Sequence, residues 1–213
     1  MEIIIDHATK IIRRATILGD ISYRFTSGHV YGLQGPNGCG KTMLMRLISG
    51  LIRPTSGAVY IDGTELGKEV DFPSSLGLLI ENPSFLPNYT GLDNLRLLAR
   101  LRDRVTIQQI SQTIEDVGLS PSDRRKYRKY SLGMKQRLGI AAAIMEQPDL
   151  IILDEPTNAL DDTGVAQICA LIRRERERGA LIVLTCHDSS ILTSLSDEIL
   201  TISNGCIERT SVT

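Results

Sequence analysis

Residues 35–42 read "GPNGCGKT", a match to G-x-x-x-x-G-K-[ST]. The stretch follows the apolar run "HVYGL" (29–33) and leads into a helical pattern at 41–49, the setting this motif requires. Glycines let successive backbone N–H groups curl round a phosphate, and a helix N-terminus adds favourable partial charge. In such a loop Lys41 reaches the β- and γ-phosphates of a nucleotide, and the Thr42 hydroxyl binds Mg²⁺. Gly35, Pro36, Asn37, Gly38, Cys39, Gly40, Lys41, Thr42 and the adjoining Met43 are therefore the expected nucleotide-binding residues. Cys39 lies among the same amides and beside Lys41, surroundings that favour a thiolate. Either Cys39 simply replaces another small residue of the loop, or its thiolate is reactive, in which case alkylation of Cys39 is expected to block activity and bound ATP to slow that reaction.

A second group of chemistry-bearing residues lies in "DLIILDEPTNALD" (149–161). Asp154 ends an apolar run that reads as a buried strand, and open α/β sheets place their ligands at such carboxyl ends. A carboxylate there holds Mg²⁺, usually through water. The adjacent Glu155 faces the γ-phosphate and polarises the attacking water as general base, while Pro156 stops the strand.

The elements needed to position these groups are visible in the periodicity. Runs at 29–33, 150–154 and 180–185 read as buried strands of a largely parallel sheet, and "SGAVYIDG" (56–63) as an antiparallel piece. Helical patterns follow at 41–49, 161–178 and 189–195. Between about 82 and 147 no clear strand is visible; "TIQQISQTIEDVG" places Ile107, Ile110, Ile114 and Val117 on one helical face, with Thr106 to cap its start and Gly118 its end. The expected fold is α/β: a P-loop NTPase core with a mainly parallel sheet, an N-terminal antiparallel β part and an inserted helical subdomain. The core spans 1–84 and 146–213, the insertion about 85–145.

Bulk properties narrow the class. The 213 residues carry a formal net charge of −1, which argues against a general nucleic-acid binder. No apolar run approaches the roughly 18 to 20 residues that span a bilayer, and "MEIIIDHATK" lacks the pattern of a signal peptide. The four cysteines (Cys39, Cys169, Cys186, Cys206) are scattered without a CxxC pair, which suggests reduced thiols in a cytosolic protein. "DRRKYRKY" (123–130) is a basic run, read as a solvated face or as a contact for a membrane partner or anionic headgroups.

The phosphate loop, "LDEPTNALD" and "LTCHD", in that order, resemble the ATP-binding subunit of ABC transporters over nearly the whole chain. The resemblance implies that 158–161 signal between two subunits and that His187 touches the γ-phosphate, making Glu155, His187 and Lys41 the catalytic set. Where the family usually carries a metal-ligating Gln, this chain has Glu81, so Thr42, Asp154 and Glu81 form the implied metal set. The family's Leu-Ser-Gly-Gly-Gln aligns with Tyr130, Ser131, Leu132, Gly133 and Met134. Ser131 is a good N-cap for the following helix, and its first amides, including that of Gly133, form a phosphate receptor. The family's adenine-stacking aromatic is missing; Ile12 stands at its place, which implies weak discrimination of ATP from GTP. "ENP" and "YSLGMKQR" together resemble the bacitracin- and lantibiotic-exporter branch.

The implied machine is an ATP hydrolase that dimerises around two MgATP. It drives a separate integral membrane permease subunit from the cytoplasmic face of the membrane and exports a peptide antibiotic or similar compound. A soluble ABC-type ATPase without transport function and a P-loop kinase are the alternatives.

Overall fold

The structure is a computed structural model that describes residues 1–102 and 104–212. Its described strands form two sheets. The first is antiparallel, in the order β2 (Ala15–Thr26), β1 (Glu2–Ile12), β4 (Ser56–Ile61), β5 (Thr64–Glu65). The second contains β10 (Cys206–Val212), β9 (Glu198–Ser203), β3 (Val30–Gln34), β8 (Leu181–Thr185), β7 (Leu150–Leu153) and β6 (Leu76–Leu79), in that order. All pairings from β9 to β6 are parallel, and only β10 runs antiparallel to its neighbour.

β7 and β8 are buried at every position, as the unbroken apolar runs require of strands covered on both faces. Their side chains alternate between two cores. Ile151, Leu153, Ile182 and Leu184 pack with the helices of one layer. Leu150, Ile152, Leu181 and Val183 face α1 (Lys41–Ile48) and, beyond it, Ile3, Ile5, Phe25 and Val59 of the antiparallel sheet. The helix that starts at the phosphate loop is thus clamped between two sheets, with Leu44, Met45, Leu47 and Ile48 buried.

Between β6 and β7 the described residues form α2 (Gly91–Ala99), α3 (Ile107–Asp116), a short 3-10 turn (Tyr127–Lys129) and α4 (Leu132–Ile144), and none of them is in a strand. Thr106 caps α3 in a full capping box with Gln109, and Gly118 follows its end with φ +78°. Ile110, Ile114 and Val117 are buried as their spacing predicts, but Ile107, at the first turn, is exposed. The chain then forms α5 (Asp162–Glu177) and α6 (Ser189–Leu195), capped by Asp161 and Asp188.

Candidate ATP site

The loop 35–40 turns on three glycines of positive φ: Gly35 (+148°), Gly38 (+78°) and Gly40 (+115°). Gly35 has no alternative, since a Cβ there would stand 2.2 Å from the Ile202 carbonyl oxygen. Gly40 is the N-cap of α1, so the free amides at the start of that helix open toward the loop. Lys41 Nζ donates to the carbonyl oxygens of Gly35 (2.7 Å) and Pro36 (3.0 Å), holding its ammonium across the mouth of the loop. Cys39 is buried beneath it at 6% exposure, with Sγ 3.9 Å from Lys41 Nζ. Its burial corrects the picture of a thiol open to reagents.

The acidic pair lies directly opposite. Asp154 follows β7, and its two carboxylate oxygens accept from Thr42 Oγ1 (2.9 Å) and Thr185 Oγ1 (2.7 Å). Thr185, the last residue of β8, in turn accepts the Glu155 N–H at 2.8 Å. One hydroxyl therefore fixes the side chain of Asp154 and the backbone of Glu155. Glu155 has φ +56°, a left-handed conformation that costs a non-glycine residue roughly 1 kcal/mol and persists where surrounding contacts over-determine it. Its carboxylate lies 3.0 Å from His187 Nε2. Burial pushes the Glu155 carboxyl above the ordinary range, with Asp154 adding to the rise and His187 and Lys41 opposing it.

A cavity of about 330 Å³ joins these groups; Asn37, Gly38, Gly40, Lys41, Thr42 and Met43 line one side, Asp154, Glu155, Asn158 and His187 the other. A neighbouring cavity of about 250 Å³ extends the same site through Gly35, Lys41, Glu155 and His187 to Cys186 and Ser189. Loop amides and a fixed ammonium suit a polyphosphate. The Thr42 hydroxyl and Asp154 carboxylate, in contact with each other, are the hard oxygen donors that Mg²⁺ takes.

Four expected residues lie elsewhere. Ile12, at the end of β1, is 40% exposed and does not line the cavity; Ile17 on β2 does, a residue that sequence reasoning missed. The carboxylate of Glu81 (φ +62°) is paired with Arg46 in the last turn of α1 and does not line the cavity. Ser131 caps α4, accepting from the Met134 N–H at 3.2 Å, but neither it nor Gly133 lines the cavity around Lys41 of its own chain. Arg137, one turn further along α4, donates to the Val117 carbonyl, to Gln167 and to Asp161.

A phosphate loop between strand and helix, faced by an acidic pair at the carboxyl end of a parallel strand, defines a P-loop ATPase. Residues 18–158 match the family model described as ABC transporter. The chain is 46% identical over 200 residues to the ABC transporter ATP-binding protein YybJ of Bacillus subtilis, covering 94% of this chain and 92% of that one. It is 40% identical to the bacitracin transport ATP-binding protein BcrA of Enterococcus faecalis, covering 93% of this chain and 66% of the relative. The lantibiotic transport ATP-binding protein SrtF of Streptococcus pyogenes is 36% identical, with 91% and 83% covered. Among solved structures, an ATP-binding subunit of an ABC transporter superposes with a TM-score of 0.90 at 24% identity, covering all of this chain and 90% of that one. A dimeric bacterial ABC transporter cassette gives 0.89, also at 24%, with 99% and 98% covered. The chain belongs to the ABC transporter family, as an ATP-binding and ATP-hydrolysing subunit.

Proposed function

We propose that two copies of this chain, or this chain and a related one, close around two MgATP and that hydrolysis reopens them, driving a separate membrane subunit. The observation that carries this is the continuous array Thr42–Asp154–Thr185–Glu155, joined by hydrogen bonds and extended by the Glu155–His187 ion pair, facing Lys41. Lys41 and the loop amides hold the β- and γ-phosphates. Thr42 and Asp154 would hold Mg²⁺, with Glu81 as a further oxygen donor once it leaves Arg46, and the ion would supply charge neutralisation of the phosphates. Glu155, ionised, accepts a proton from the attacking water, and His187 holds both the Glu155 carboxylate and the γ-phosphate in register.

Ser131 and Gly133 complete the site of the second subunit. The capped start of α4 offers outward amides, and its absence from the lining of its own chain's cavity is the reason to assign it to a partner's nucleotide. Closure is favoured only because ATP binds the closed pair better than the open chain.

Among the described residues no helix is long and apolar enough to cross a membrane. We assign the transport path to an integral membrane subunit, docked against the helical segment 85–145 where Leu86 and Leu101 are exposed; this places the chain on the cytoplasmic face of the membrane. The likeness to bacitracin and lantibiotic transport proteins makes an exported peptide antibiotic the favoured cargo.

Glu155→Gln is expected to bind MgATP and to double in size on a sizing column, whereas Ser131→Arg binds MgATP with unchanged Kd, stays monomeric and does not hydrolyse. Hydrolysis by Ser131→Arg at the unaltered rate would remove the sandwich from consideration.

A further inference from the structure

Gln136 is a buried polar residue that the site described above does not use. It lies on α4, one turn after Ser131 and Gly133, at 8% exposure, and its side-chain Nε2 donates to the carbonyl oxygen of Glu155 at 2.9 Å. That carbonyl also accepts the Asn158 N–H at 3.1 Å, and the Glu155 N–H is held by Thr185 at 2.8 Å. The backbone of Glu155 is therefore clamped on both sides, by β8 on one and by α4 on the other. A residue in the left-handed region needs such a clamp, because release lets it relax to an ordinary conformation and carries its side chain with it.

We infer that Gln136 is a positioning residue for hydrolysis: its amide fixes the Glu155 peptide, and through it the carboxylate that prepares the attacking water, from the same helix that presents Ser131 and Gly133. The inference rests on the reading of Glu155 as the general base. It adds a route by which a displacement of α4 reaches the chemistry of its own chain, apart from any contact made by 158–161. Arg137, the next residue, ties α4 to α3, α5 and the cap of α5, so the helix moves with these elements while Gln136 carries the link from α4 to the Glu155 carbonyl.

Two substitutions separate positioning from simple packing. Gln136→Met keeps length and volume and loses the donor; the Glu155 carbonyl retains Asn158, so no buried acceptor is orphaned and the thermal midpoint should hardly move. Steady-state ATPase of the chain should show kcat lower by on the order of tenfold to a hundredfold, the scale of a misplaced reacting group, with KM for ATP within about twofold. Gln136→Glu sets a carboxylate against the carbonyl at neutral pH, but its protonated form again donates. Its deficit relative to the parent chain should narrow as pH falls, while that of Gln136→Met stays constant. Unchanged kcat in Gln136→Met overturns the inference, as does a KM that rises in step with the fall in kcat, or deficits of the two variants that match at every pH. Glu155→Gln assayed beside them separates the two levels. If it hydrolyses ATP at the parent rate, the role given to Glu155 fails and this inference with it. If it is inactive while Gln136→Met is fully active, only the inference fails.

Discussion

Gly133 lies so close to Ala159 that a Cβ built on it would stand 2.6 Å from the Ala159 carbonyl oxygen. The start of α4 and the segment 158–161 therefore touch through a glycine that no larger residue replaces without movement, and Ala159 itself is held at φ +61°. Gly133→Ala must push the two segments apart. The expected cost is about 1–3 kcal/mol, the range of an overpacked contact, read from denaturant midpoints. ATP hydrolysis should fall well beyond that loss while ATP binding, carried by the phosphate loop of the same chain, keeps its Kd. A variant as active as the parent would show that the contact is mere packing.

The pH dependence follows from burial of Glu155. Its carboxyl is raised above the ordinary glutamate value of 4.5, chiefly by desolvation. The base must be ionised, so kcat falls as pH drops through a value above 4.5. His187 opposes the rise, so in His187→Ala the acid limb of the residual activity should move to higher pH. Stability carries the opposite sign. The folded chain holds the Glu155 proton more tightly than the unfolded one, so this group destabilises the fold as pH rises past the ordinary value. Glu155→Gln should accordingly melt higher than the parent at neutral pH, by an amount that shrinks toward pH 4.5. Equal melting temperatures across that range would contradict the buried, ionised carboxylate.

The site was legible in sequence wherever the residues that act are neighbours in the chain. The loop 35–42 and the pair Asp154–Glu155 announce themselves because the strand, turn and helix that place them are contiguous. Ile17 was not legible, because β1 and β2 pair with register shifts between Ile5 and Ala8, between Ala8 and Lys10, and between Lys10 and Ile11. Each shift alters which face a side chain takes, so counting back from the loop selects Ile12 while the fold brings Ile17 to the cavity. Likewise no local pattern announces that Arg46 holds Glu81 or that Gln136 reaches Glu155, contacts between residues 35 and 19 positions apart. Cys39 had the right neighbours for a reactive thiol, but the sequence carries no sign that the loop folds over it.

Base selectivity should reflect the aliphatic residue that lines the cavity. An isoleucine offers the purine van der Waals contact without the stacking geometry of an aromatic ring, a difference on the order of 1 kcal/mol. The ratio of kcat/KM for GTP to that for ATP should therefore lie within about tenfold of unity, as 1.4 kcal/mol is a factor of ten. Ile17→Tyr should raise affinity for both purine nucleotides, whereas Ile12→Tyr, on the exposed end of β1, should leave both unchanged. The opposite order in a titration with the two variants would place the base against Ile12.

Glu81 offers a test of whether a side chain engaged elsewhere serves the metal. Its ion pair with Arg46 is largely exposed on the glutamate side (65%), so the pair contributes about 0–1 kcal/mol to stability. Arg46→Met should leave the denaturation midpoint nearly unchanged and release the Glu81 carboxylate, lowering the Mg²⁺ concentration that half-saturates ATP hydrolysis. Glu81→Gln should raise that concentration, because a neutral amide oxygen is a weaker donor to a hard cation than a carboxylate. The double substitution should behave as Glu81→Gln alone, since Arg46 acts on the metal only through that carboxylate. If Arg46→Met and Glu81→Gln change the Mg²⁺ dependence independently and additively, Glu81 is an ion-pair partner of α1 and the metal is held by Thr42 and Asp154 without it.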